Sequence, residues 1–130
     1  MMTRSDEGRQ ARRAFAQMSL DPRYSFEIRK ANKLSVRGLS VAQDARDSYR
    51  GGEGQSTRNN IKDAVRLHGE AAALFGQARD HLVDLAESAR HEERRTIFTA
   101  AARLLRLQQA ELGRRDSAAR KDWQLRANHV

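Results

Sequence analysis

The sequence has no cysteine, a single proline and seven aromatic residues among its 130 positions. Without cysteine, neither a disulfide framework nor a thiolate zinc site can form. No apolar run approaches the roughly 18 residues that a transmembrane helix needs. Residues 1–13 have no apolar stretch behind their charges, which argues against a secretory signal. We therefore expect a cytoplasmic protein without a membrane partner.

Large apolar side chains are also scarce, since Leu, Ile, Val and Phe together supply 24 residues. A chain with less than about a fifth of such residues and a high net charge lies close to the composition of disordered proteins. Alanine-rich helix packing can offset this shortage. We expect the domain to gain stability from other protein subunits or from self-association.

Helix-forming residues dominate the rest of the chain, and no alternating strand pattern occurs. We predict an all-α fold, in which one domain over residues 1–130 forms a small bundle of four to five amphipathic helices. The predicted segments are a short helix over 5–19, helices over 25–50, 60–90 and 94–113, and a basic C-terminal tail or short helix over 116–130.

Two helix boundaries differ in the strength of their signals. The stretch GGEG, residues 51–54, ends the second helix because glycine is a strong C-terminal signal. Between the third and fourth helices the polar stretch RHEERR, residues 90–95, favours a turn, and one continuous helix over 60–112 is the alternative. In the fourth helix the apolar pattern places on the inward side Ile97, Phe98, Ala101, Leu104, Leu105 and Leu112.

The chain carries a net charge of +8, with 21 arginines against 4 lysines. Such a charge is typical of proteins that bind polyanions. Residues 1–50 and 91–130 have net charges of +5 and +4, whereas residues 51–90 have −1. We predict nucleic acid as the partner. An acidic protein partner and the arginine bias of a GC-rich genome are the alternatives.

Basic residues follow helical spacing on two of the predicted helices. Arg29, Lys33 and Arg37 recur at i, i+4 and i+8 on the polar side of the second helix. Guanidinium groups match phosphate oxygens with two parallel N–H donors, and such contacts hold a backbone without reading its sequence. The predicted nucleic-acid contacts are Arg29, Lys33, Arg37, Arg95, Arg103, Arg106, Arg114, Arg115, Arg120, Lys121 and Trp123. The alternative is that they form the charged surface of any soluble bundle.

Trp123 is the single tryptophan and lies among the basic residues of the tail. A base could stack on its indole ring. Alternatively, the ring packs on the bundle and anchors the last helix. In that interpretation Ala119, Trp123 and Ala127 share one side of a tail helix.

Two polar residues, His68 and Gln108, fall within apolar helical arcs. The pattern favours a hydrogen-bonded histidine at an inter-helix seam, and the amide of Gln108 needs a buried partner or a subunit interface. We predict both as interface residues.

Sequence motifs for metal binding, phosphate binding or catalysis are weak in the rest of the chain. The cluster Asp80, Asp84, Glu87 and His91 lies on the polar side of the third helix, whereas metal sites in helical bundles project inward. The stretch GGEGQSTRNN lacks the lysine and the strand context of a phosphate-binding loop. None of the four histidines has an arginine at the spacing that HEPN ribonucleases use. We expect a non-enzymatic protein with no metal, cofactor or small-molecule substrate.

The size, helical character, basic charge and lack of a catalytic site resemble the small subunits of CRISPR effector complexes. This resemblance implies a subunit of a nucleoprotein assembly that binds nucleic-acid backbone without chemistry. Residues 31–112, with the small-residue spacing of AVRLHGEAAALF, are similar to an MIT-type three-helix hairpin. That similarity implies an adaptor that binds an amphipathic or acidic segment of a partner protein, and it is the alternative function.

Overall fold

A computed structural model describes residues 25–50 and 57–127, which form three α-helices and no strand. The helices are α1 (Ser25–Arg50), α2 (Thr57–Ser88) and α3 (His91–Ala127). The predicted all-α class is confirmed for these residues. The predicted count of four to five helices is not confirmed, since this part of the chain contains three. The predicted helix over 5–19 lies outside the described residues.

Helix α3 joins two segments that the sequence pattern keeps apart. It runs through 37 residues, so the predicted helix over 94–113 and most of the predicted tail form one element. Gly113 does not end it, because a glycine inside a helix costs about 1 kcal/mol relative to alanine. Burial continues beyond this glycine at Ala118 and Asp122. Packing of the second half of α3 therefore outweighs a weak stop signal.

The connection between α2 and α3 consists of Ala89 and Arg90. The turn thus falls at the start of the polar stretch RHEERR. The Nε–H of Arg94 donates a hydrogen bond to the carbonyl of Ala89 at 3.3 Å, which holds the turn from the α3 side. Glu92 and Glu93 lie in the first turn of α3, where carboxylates interact favourably with the N-terminal end of the helix dipole.

The central helix is α2, because it packs extensively against both α1 and α3, whereas those two contact each other at few positions. Gly38 of α1 lies so close to Phe75 of α2 that a Cβ there would be 2.8 Å from the ring carbon Cε1. The buried face of α1 consists of small residues at three- and four-residue spacing, namely Ala31, Ser35, Gly38, Ala42 and Ala45. These small residues allow α1 to approach the backbone of α2 closely.

The larger apolar side chains are concentrated around α2 and the first half of α3. The largest that are fully buried are Phe75, Leu82, Ile97, Leu104 and Leu107. Because α3 packs mainly on one helix, its buried residues follow a narrow seam. The prediction that Phe98 and Leu105 face inward is wrong, since they are 50% and 36% exposed. None of the described helices is long and apolar enough to cross a bilayer.

We expect Gly38→Ala to lower the free energy of unfolding by about 1–3 kcal/mol, the usual result of overpacking a filled core. The added methyl group would meet the ring of Phe75, which is fully buried, so the ring or α1 must shift. Gly113→Ala is the matched control, because a Cβ there meets nothing within 4 Å. Alanine also favours helix over glycine by about 1 kcal/mol.

Urea unfolding of the two variants should therefore shift in opposite directions from the parent chain. Equal stability of Gly38→Ala and Gly113→Ala would contradict the close approach of α1 to α2.

Candidate functional site

A buried polar contact joins α2 to α3. His68 and Glu111 are 3% and 0% exposed, and 2.6 Å separates His68 Nδ1 from Glu111 Oε2. The other carboxylate oxygen, Oε1, accepts a hydrogen bond from Arg114 Nη1 at 3.1 Å. An ionised carboxylate only accepts hydrogen bonds, so with Glu111 ionised the proton of this hydrogen bond lies on Nδ1 of His68. The histidine and the guanidinium together compensate a carboxylate at a fully buried position.

This contact places His68 at an inter-helix seam, hydrogen-bonded, as its position in the apolar arc indicates. Glu111 does not stand out in the sequence, because a single glutamate on a helix is most often solvated. The sequence does contain one indication that Glu111 is buried. It lies seven residues after Leu104, which places both residues on the same side of α3. A seven-residue seam through α3 would have identified Glu111 as buried.

Gln108 has its partner within the chain. Its Oε1 accepts a hydrogen bond from Arg79 Nη1 at 2.7 Å, and Gly76 of α2 lies directly beneath the Gln108 amide. Arg79 also pairs with the carboxylate of Asp80 at 3.0 Å. Arg79 is thus the partner of Gln108 within the chain, and their contact is half-buried. Contact of His68 or Gln108 with another chain stays a prediction.

A second buried carboxylate lies near the C-terminal end of α3. Asp122 is 4% exposed and accepts a hydrogen bond from Arg126 Nη2 at 2.6 Å. Its other oxygen lies 3.7 Å from Nε of Arg58, in the first turns of α2. Together with the His68–Glu111 contact, this ion pair shows that α2 and α3 run antiparallel. It also fixes the last turns of α3 against the start of α2.

A cleft of about 660 Å³ opens between α1 and α3, with His68 of α2 among its lining residues. Three of the lining residues are arginines that come from both helices. Small residues of α3 line the remaining wall, which leaves room between the two helices. The complete lining is Arg46, Tyr49, His68, Ala110, Gly113, Arg114, Ser117, Ala118 and Arg120.

The structure brings Arg114 and Arg120 together in this cleft and adds Arg46 and Tyr49, which lie outside the predicted set. The predicted residues of α1 lie along its outer side, opposite its small-residue face. The exposed members of the predicted set are Arg29, Lys33, Arg37, Arg95, Arg106, Arg120, Lys121 and Trp123. The half-buried members are Arg103, Arg114 and Arg115.

Two of the predicted contacts are engaged in ion pairs. Arg114 pairs with the buried Glu111, and Arg115 pairs with Asp116, each at 3.1 Å. Arg115 also extends over Gly69 of α2, where a Cβ would be 3.6 Å from its Cδ. These two arginines therefore contribute to the α2–α3 seam as well as to the basic surface.

Trp123 is 68% exposed, so the interpretation that it packs on the bundle is wrong. Ala118 and Asp122 face α2 in its place, whereas Ala119 and Ala127 are exposed. The indole ring is thus available to a partner.

The acidic cluster spans the C-terminal end of α2 and the first residue of α3, and it faces solvent. Its members are all exposed, namely Asp80, Asp84, Glu87 and His91. Within residues 25–50 and 57–127, no group of three or more such side chains is arranged to hold a metal ion.

No known protein family matches the chain, and neither curated proteins nor solved structures include a significant match to it. The resemblances to CRISPR small subunits and to MIT-type hairpins therefore rest on sequence character alone.

We expect Glu111→Gln to lower the free energy of unfolding by about 3 kcal/mol, because it removes the charged acceptor that His68 and Arg114 share at a buried position. Glu70→Gln is the matched control. Glu70 forms an i, i+4 ion pair with Arg66 at 2.9 Å on the surface of α2. Loss of such an exposed pair costs about 0.5 kcal/mol or less. Equal effects of the two substitutions on chemical denaturation would refute a structural role for the buried carboxylate.

Proposed function

We propose that this chain is a basic helical-bundle protein that contacts nucleic-acid backbone without catalysis, as a small subunit of a larger nucleoprotein assembly. One observation carries the proposal. Exposed cations of α1 and α3 have no acidic partner among the described residues. They are Lys33, Arg37, Arg95, Arg106, Arg120 and Lys121.

Other arginines do form ion pairs. Arg66, Arg79 and Arg126 each pair with a carboxylate on their own helix at 3.0 Å or less. Most of the exposed cations without an acidic partner among the described residues lie on the two helices that flank α2, whereas α2 contributes Lys62. This distribution supports a surface for a polyanion, because a partner's phosphates would supply counter-charges to these cations.

Backbone contact also agrees with the geometry of the exposed residues. Arg95 and Arg106 lie within about 20° of each other around the α3 axis, at 100° per residue. Eleven residues of helix separate them by about 16 Å, which is a distance over which a strand presents several phosphates. Such a row holds a backbone and positions it without reading bases.

We expect Arg95→Gln/Arg106→Gln to weaken binding of labelled single-stranded RNA, single-stranded DNA or duplex DNA. The slope of log K against log salt should fall by about 1.4 for single strands, which corresponds to two lost phosphate contacts. Lys62→Gln/Arg66→Gln on α2 removes the same charge from exposed positions and should change the slope by less.

Equal losses in both double variants would mean that overall charge, and not this surface, drives binding. A folded protein that binds none of the three nucleic acids at low salt would overturn the proposal.

The second candidate function is a helical adaptor. Phe98, Leu105 and Trp123 are 50%, 36% and 68% exposed on α3. At 100° per residue they lie within about 20° of one another. An apolar row beside exposed arginines suits an amphipathic helix that carries acidic residues.

A synthetic amphipathic peptide with glutamates on its polar face tests this candidate. If the adaptor function holds, the peptide changes Trp123 fluorescence at micromolar concentration, and Phe98→Ser/Leu105→Ser removes the response. Gln77→Ser/Gln109→Ser changes exposed polar residues and should preserve it. An unchanged response in the Phe98/Leu105 variant counts against this surface.

A further inference from the structure

We propose that the cleft between α1 and α3 binds a single-stranded segment of nucleic acid. In this arrangement a base stacks on Tyr49 and its flanking phosphates contact Arg46, Arg114 and Arg120. The inference rests on the proposed function and specifies its substrate class as single-stranded rather than duplex.

The size and lining of the cleft are suited to binding a ligand. Its volume of about 660 Å³ lies within the range of about 300–1,000 Å³ that small-molecule sites occupy. Ala110, Gly113 and Ala118 line it with small or absent side chains. At Gly113 an added Cβ would meet nothing within 4 Å, so the α3 wall is open at this position. The cleft thus has room for a planar group between the helices.

Tyr49 supplies the stacking surface. Its side chain lines the cleft, and the residue is 45% exposed, so part of its ring is accessible. Bases stack on aromatic rings in single strands, where they are splayed apart, whereas in a duplex their faces are already covered. A stacking site at the mouth of a cleft therefore selects a single strand.

The arginines supply phosphate contacts. The Nε atom of Arg46 is buried and has no hydrogen-bond partner among the described residues. Its Nη2 donates to Gln43 on the same helix. Arg120 is exposed and has no acidic partner in the described part of the chain. A buried donor without an acceptor is uncommon in folded proteins, and a ligand oxygen in the cleft would satisfy it.

The local charge balance favours an anion. No carboxylate lines the cleft, and Glu111, which contacts two of the lining residues, already accepts from His68 and Arg114 with its two oxygens. The lining contains three guanidinium groups, and one of them compensates Glu111. An excess of two positive charges therefore remains when His68 is neutral. Phosphate oxygens provide the matching charge and the planar acceptor geometry that arginine prefers.

The test measures binding of labelled oligothymidylate and of a duplex of equal length at low salt. Tyr49→Ala removes the stacking ring, and Gly113→Leu fills the cleft without changing any charge. Phe26→Ala is the control, because it removes an exposed aromatic ring of α1 that does not line the cleft. Circular dichroism confirms that each variant is helical.

We expect the parent chain to prefer the single strand. Tyr49→Ala and Gly113→Leu should each weaken single-strand binding by about fivefold to a hundredfold, the range for loss of one stacked base. Duplex binding should stay unchanged in both variants, and Phe26→Ala should resemble the parent chain.

Each other outcome has a distinct meaning. If single-strand binding falls in Arg95→Gln/Arg106→Gln but not in Tyr49→Ala or Gly113→Leu, the cleft proposal is overturned while the proposed function stands. A preference for duplex also overturns the cleft proposal. Absence of binding to both probes overturns the cleft proposal, and the proposed function is overturned as well if single-stranded RNA also fails to bind.

Discussion

The buried carboxylate of Glu111 governs how the second half of α3 meets α2. An isolated charge at 0% exposure would be strongly unfavourable, so Glu111 requires both His68 and Arg114. Satisfying it fixes the antiparallel register of two helices and directs one arginine to the edge of the cleft. A shift of α3 along α2 would separate His68 from Glu111, whereas Arg114 would move together with Glu111 because both lie on α3. The polar part of the seam thus contributes specificity of alignment more than net stability.

The apolar part of the fold follows from a shortage of large side chains. Among the described residues, twelve of the nineteen buried hydrophobic residues are alanines. Alanine buries little surface, so helices must approach closely to exclude water between them. The small-residue face of α1 and the contact of Gly38 with Phe75 are the means of that approach. A composition close to that of disordered proteins is therefore compatible with a packed bundle.

The parts of this structure that the sequence predicts well are those set by local periodicity. Helix content and the bounds of α1 follow from apolar spacing and from the glycines after Arg50. The burial of His68 follows in the same way. The inward face of α3 does not, because its seam depends on which neighbours it has. Phe98 and Leu105 lie on a wide apolar arc, but α3 packs mainly on α2 and leaves them exposed.

The candidate site was predictable only in part for the same reason. Arg114 and Arg120 stand out as basic residues of the tail, and Trp123 stands out as the single tryptophan. Arg46 and Tyr49 have no distinguishing local pattern. They acquire significance when α2 places the end of α1 beside the second half of α3. Composition indicates the sign of the partner's charge, and tertiary structure decides which cations converge.

The sparse contact between α1 and α3 has a mechanical consequence. Each flanking helix packs on α2 through its own interface, and α1 and α3 have almost no interface with each other. The relative position of α1 and α3 is therefore set mainly by their separate interfaces with α2. A ligand that contacts both α1 and α3 would add a direct link between these two helices. The occupied bundle would consequently be stiffer than the empty one, and its unfolding would require more helices to separate together.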